Sequence, residues 1–131
     1  MKADAATEAA VQAVLDRLAE VYRTRDATLL QAVFAPDPDL VMFSPGASER
    51  FVGISEIVTK ARSDWARSES ASLVYRETSI SAAGPVAWAA VDADFTVRAA
   101  GEERTLPVHI TFVLERRDDE WRIAHAHYST A

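Results

Sequence analysis

Early in the chain, hydrophobic positions recur every three or four residues. Val11, Val14, Leu15, Leu18, Val21 and Tyr22 fall on one side of a helix, and Asp16, Arg17, Glu20 and Arg23 fall on the other. This is the pattern of an amphipathic helix facing a core. Asp26 stands where an N-cap belongs for a short second helix through Leu29, Leu30, Val33 and Phe34, which Pro36 stops. Leu40-Val41-Met42-Phe43 reads as a short strand that Pro45-Gly46 breaks, with Phe51-Val52 returning beside it before Gly53. Ser55 offers a cap for a third helix, whose inner side holds Ile57, Val58, Ala61 and Trp65.

From Ser72 onward the period becomes two. Strands are predicted over Leu73 to Ser81, Val86 to Arg98, Leu106 to Glu115 and Trp121 to Thr130. Ala83-Gly84-Pro85, Ala100-Gly101-Glu102 and the charged run Arg116 to Glu120 separate them, each connection short enough for a hairpin. Helices first and an antiparallel meander last make an α+β domain with helices on one sheet face. Long antiparallel strands twist and bulge, so the sheet should curl into a cone around the long N-terminal helix, with two shorter helices beside it.

Alternation then divides the side chains between two faces. Ala93, Phe95, Ile110, Phe112, Ala124, Ala126 and Tyr128 group as the concave lining, where small alanines would leave open volume beneath the first helix. The expected pocket residues are Leu18, Tyr22, Met42, Ser44, Trp65, Phe95, Phe112, Ala126 and Tyr128. An apolar wall with few polar anchors suits a small, mostly apolar molecule. The opposite face would hold Trp88, Asp92, Asp94, His109, Trp121, His125 and His127. Aromatics among pairable polar groups suit an isologous contact with a second copy, hence a homodimer through the outer sheet face.

Composition narrows the chemistry. The 131 residues suffice for one domain, and their net charge of −6 opposes nucleic-acid binding, which needs a basic face. The absence of cysteine removes disulfides, thiolate catalysis and thiolate metal sites. The N-terminal Met1-Lys2-Ala3-Asp4 lacks a signal-like apolar run and no segment has membrane-spanning length, so a cytoplasmic location is expected. His125 and His127, with His109 and Asp92 or Asp94, have the residue types of a facial metal set. Cross-strand hydrogen bonding at an interface explains the same residues, and it is preferred because a two-residue spacing arises readily on any strand. Neither a metal nor a cofactor is therefore expected.

Several segments also carry a family likeness. They are the helix ending Tyr22-Arg23-Thr24-Arg25-Asp26, the Leu30 to Phe34 segment, and Phe51-Val52-Gly53. Above all, Arg116-Arg117-Asp118 precedes Trp121-Arg122-Ile123-Ala124-His125-Ala126-His127-Tyr128-Ser129. In these the chain resembles the nuclear transport factor 2-like superfamily, and within it the SnoaL-like group that includes the association domain of calcium/calmodulin-dependent kinase II. The resemblance implies a single SnoaL-like domain over residues 1–131, with a cone-shaped, cystatin-like α+β barrel and a dimeric habit. Some members are isomerases, cyclases, epoxide hydrolases or dehydratases, and many only bind or assemble, so the fold does not supply a function.

Carried over residue by residue, the family's catalytic sets are incomplete. The tyrosine and aspartate positions of steroid isomerases fall on Leu18 and Ser44, and no carboxylate lies around Ile110 to Phe112. Ketosteroid isomerisation by that route is not expected. The arginines of the kinase hub fall on Phe112 and Tyr128. Dehydratases of the fold place two histidines and an aspartate inside the cavity, whereas alternation turns His125 and His127 outward unless a one-residue bulge reverses them. A dimeric small-molecule-binding domain is the expectation. The alternative is an isomerase, dehydratase or cyclase for a small apolar or polyketide-like substrate, using Tyr128 with Ser44 or His127.

Overall fold

The computed structural model describes residues 1–46 and 49–131. Helix α1, Ala5–Thr24, starts at Asp4, whose carboxylate accepts from the Thr7 amide at 2.7 Å. Val11, Val14, Leu15, Leu18 and Val21 are its buried stripe, as their spacing predicts. It ends where Arg25 turns left-handed (φ 58) and returns its N–H to the Val21 carbonyl. Asp26 then caps α2, Ala27–Val33, accepting from the Thr28 and Leu29 amides. Phe34 lies just beyond this helix, where it forms a bridge to Ile123, rather than within it.

Strands β1, Val41–Phe43, and β2, Arg50–Val52, pair antiparallel. Helix α3, Gly53–Ala66, follows directly, without Ser55 as its cap: Glu56 accepts from the Val52 amide instead. Gly53 (φ +81) supplies the left-handed turn between strand and helix. The meander comprises β3, Ser70–Ala83, β4, Val86–Ala99, β5, Glu102–Arg117, and β6, Glu120–Thr130. All four strands run longer than the sequence pattern marks. Two hairpins close through consecutive positive-φ residues, Ala100-Gly101 and Asp118-Asp119, the geometry that matches strand twist.

The six strands lie in the order β2-β1-β6-β5-β4-β3. Two features differ from a purely antiparallel barrel. β1 runs parallel to β6, and the sheet stays unclosed, with β2 and β3 at its edges. Register shifts near Arg76 in β3 and Ala124 in β6 bend it. α1 packs against β3 and β6, over the fully buried Ala87, Ala89, Ala93, Phe112, Leu114, Ile123 and Ala126. Among the described residues no charged side chain is buried. The core is held by apolar burial, worth about 1.5–3 kcal/mol for each large side chain.

Arg117 clasps one end of this cone. Its guanidinium meets the Asp37 and Glu115 carboxylates together, tying the last hairpin to the segment between α2 and β1. Arg25 fixes α3 near the other end, donating to the Trp65 and Ser68 carbonyls at 2.7 and 3.0 Å. A cation at a helix C-terminus satisfies carbonyls that have no partner inside the helix.

Candidate functional site

The last strand decides what reaches the interior. Val113 pairs with His125 and Leu114 with Ile123, which leaves Ala124 as an extra residue in β6. Read without Ala124, the strand alternates in and out: Trp121, Ile123, Ala126 and Tyr128 are buried, while Arg122, His125, His127 and Ser129 take the other side. The bulge does occur, but it inverts the tryptophan end and leaves both histidines outward. Trp121, expected on the outer face, is only 7% exposed and belongs to the core, its ring covered by the Arg116 guanidinium. Ala124 is the bulge rather than part of the lining.

Inside the cone the tail of α1 meets the tail of β6. The Tyr22 hydroxyl donates to the Tyr128 hydroxyl at 3.0 Å, across 106 residues of sequence. Phe95 stands edge-on to Tyr22 and Phe112 edge-on to Tyr128, with ring centroids 5.5 and 6.2 Å apart. Burial pushes the Tyr22 phenol up to about 12, against the opposing effect of its bond to Tyr128. Burial also raises Tyr128 well above the ordinary phenol, with Tyr22 and Tyr75 adding to the rise. Both therefore remain protonated at neutral pH, as hydrogen-bond donors and not as bases. The shared bond uses one of their two hydroxyl protons. Among the described residues no acceptor meets the other.

The remaining expected lining divides by burial. Leu18, Met42, Phe112 and Ala126 are core residues, whereas Trp65 and Phe95 are half-buried and pack against that core. Tyr75 was not singled out from sequence. It donates to the Leu15 carbonyl at 2.6 Å and anchors α1 to β3. Alternation obscures it because the bulge at Arg76 interrupts the period.

Ser44, His127 and Tyr128 border one open cleft of about 450 Å³, together with Phe43, Arg50 and Ser129. The structure thus gathers the three catalytic candidates, although no hydrogen bond joins Ser44 to Tyr128. Its amide bonds the Glu49 carbonyl instead. Arg50 and Phe43 were not named as site residues from sequence, since their adjacency arises only from strand register.

On the outer face, Trp88 is 37% exposed, and His109 approaches Asp92 at 3.1 Å. Asp94 pairs with Arg76 at 3.2 Å. His125 is half-buried, its Nδ1 donating to the Val41 carbonyl at 2.7 Å. Among the described residues, no three histidine, aspartate or glutamate side chains converge as a set able to hold a metal ion.

Solved structures share this architecture. A nuclear transport factor 2-like superfamily protein from Salmonella enterica is 21% identical, with 92% of this chain and 87% of that one covered and a TM-score of 0.84. A Xanthomonas campestris chain, provisionally named a calcium/calmodulin-dependent protein kinase II association domain, is also 21% identical (92% and 85% covered, TM-score 0.80). A hexachlorocyclohexane dehydrochlorinase is 13% identical (95% and 85% covered, TM-score 0.84). At such identities the likeness establishes the fold and not the chemistry. No curated protein matches the chain. The family profile described as the SnoaL-like domain matches residues 11–131. A helix-filled, unclosed α+β cone and a profile match over nearly the whole sequence lead to one conclusion: the chain belongs to the SnoaL-like domain family.

Proposed function

We propose that this domain binds a small, largely apolar molecule at the Tyr22–Tyr128 end of the cone. The observation that carries the reading is the phenol pair itself. It sets one unspent hydroxyl proton against aromatic walls, in a core that buries no charged side chain. Such a site recognises an apolar body bearing one acceptor, a carbonyl above all, and holds no group basic enough to abstract a proton. Binding without turnover is the consequence.

Calorimetric titration with a graded series of cycloalkanones tests this. The wild type should bind at least one member, and Tyr128→Phe should bind it about five-fold more weakly, the effect of one neutral hydrogen bond. Equal affinity in the two proteins, or no binding across the series, would reject the assignment.

A second reading rests on the gathering of Ser44, His127 and Tyr128 around one cleft. There the domain would act as an isomerase, dehydratase or cyclase, a direction in keeping with the dehydrochlorinase among its structural neighbours. Turnover abolished by His127→Asn but retained in Tyr22→Phe would favour it.

We further propose that two copies pair through the outer sheet face, centred on Trp88, Asp92 and His109. The exposed Trp88 gives that contact an aromatic anchor, and the His109–Asp92 pair can exchange partners across a twofold axis. The domain's own surroundings are then an aqueous compartment such as the cytoplasm.

A further inference from the structure

Strand register builds a row of side chains on the outer face that the cone does not use. Arg50 of β2 pairs with Phe43 of β1, and Phe43 pairs with His127 of β6. Three adjacent strands therefore align a guanidinium, a phenyl ring and an imidazole. The Arg50 guanidinium lies 5.8 Å from the Phe43 ring centroid, and the His127 ring is tilted against the same ring at 5.2 Å. His125 adds an edge contact at 5.9 Å, its own ring fixed by the Val41 carbonyl. Beyond Phe43 the first strand stops, while β6 continues to Thr130. The open cleft of about 450 Å³ lies there, bordered also by Ser44, Glu49, Tyr128 and Ser129.

Charge gives this row its meaning. The protein carries a net −6, and many of its arginines are satisfied by neighbouring acids, as in Arg76–Asp94, Arg98–Glu103 and Arg117–Asp37. Exposed Arg50 has no carboxylate within 4.0 Å among the described residues. Glu49, the acid that lines the cleft, is neutralised by Lys60 at 2.9 Å. An arginine lying on an aromatic ring keeps its planar fork ready for a bidentate carboxylate, and the ring provides a stacking surface next to it.

We propose that this cleft is a binding site for a small aromatic carboxylate. The carboxylate engages Arg50, and the aromatic body packs on Phe43 and His127. Phe43 and His127 lie on the outer side of the sheet, and Tyr128, buried on the inner side, also borders the cleft. The site therefore adjoins the phenol pair but holds its ligand through Arg50, Phe43 and His127.

Benzoate is the probe, with benzyl alcohol as its uncharged counterpart and the imidazole resonances of His125 and His127 as the readout. Benzoate should shift His127 saturably in the wild-type protein. Benzyl alcohol, and benzoate with Arg50→Gln, should each bind roughly ten-fold more weakly, as expected when a charge-assisted hydrogen bond is lost. Phe43→Leu, which keeps the strand apolar, should weaken benzoate as well. The proposal is overturned if benzoate leaves His127 unmoved or if Arg50→Gln binds it as tightly as the wild type. It is also overturned if the response vanishes as rising protein concentration drives dimerisation, because a second copy then covers the row.

Discussion

At Tyr22 and Tyr128, two phenols share a hydrogen bond where little water reaches them. Burial raises both above the ordinary value, Tyr22 to about 12 against 10 in the unfolded chain. A group whose proton is held more tightly in the folded state contributes stability that is complete below its unfolded value. That contribution is lost as pH climbs toward the folded one. Stability measured by urea unfolding should therefore fall between about pH 10 and pH 12, and Tyr22→Phe should fall less steeply over the same range. A mutant slope equal to that of the wild type would show that this phenol is not responsible. Phe112→Ala, by contrast, empties a fully buried position and should cost about 3–5 kcal/mol, read from the shift in urea midpoint. Both tyrosines could be named from sequence as pocket-facing. Their contact could not, because nothing local relates the end of a helix to the end of the last strand.

Arg25 shows how much one element boundary can hold. Its backbone is left-handed, which disfavours any residue with a side chain, yet its guanidinium caps α3 from across the cone. Two substitutions separate these effects. Arg25→Ala loses the guanidinium and keeps the backbone cost, whereas Arg25→Gly loses the guanidinium and relieves the backbone. Thermal denaturation should place Arg25→Gly above Arg25→Ala by up to about 1 kcal/mol, with both below the wild type. Amide exchange in α3 should quicken in both, since Ile57 is the only buried residue of that helix. If α3 exchange is unchanged, the cap does not hold it. The Ala124 bulge is the complementary case in a strand. Strict alternation would put Trp121 and the two histidines on the same face. One unpaired residue places the tryptophan in the core and keeps the histidines at the surface. Which residue bulges depends on where the sheet must bend around α1, and β6 alone does not contain that information.

For the whole molecule, the pairing proposal predicts concentration-dependent association. Equilibrium sedimentation should detect a dimer, and Trp88→Glu should shift the species toward monomer without changing the circular dichroism. A monomer at every concentration would reject the outer-face contact. The end of the cone that Arg117 clasps should respond to acid. Arg117 holds the Asp37 and Glu115 carboxyls below their usual range, so their contribution is present above ordinary carboxylate values and lost as pH falls through the lowered ones. Arg117→Met should flatten the acid limb of a stability profile. By itself, the sequence determined the elements and their order. A period of 3.6 or two, Asp26 as a cap and Gly or Asp at the turns act over neighbouring residues, and such short-range preferences survive in any context. The tertiary structure alone decided the parallel β1–β6 pairing, the unclosed sheet, the side that Trp121 takes and the rows formed by Tyr22 with Tyr128 and by Arg50 with Phe43 and His127. Each joins residues far apart in the chain, and its position is fixed only when the curled sheet closes on α1 and every strand must bury its apolar side at once.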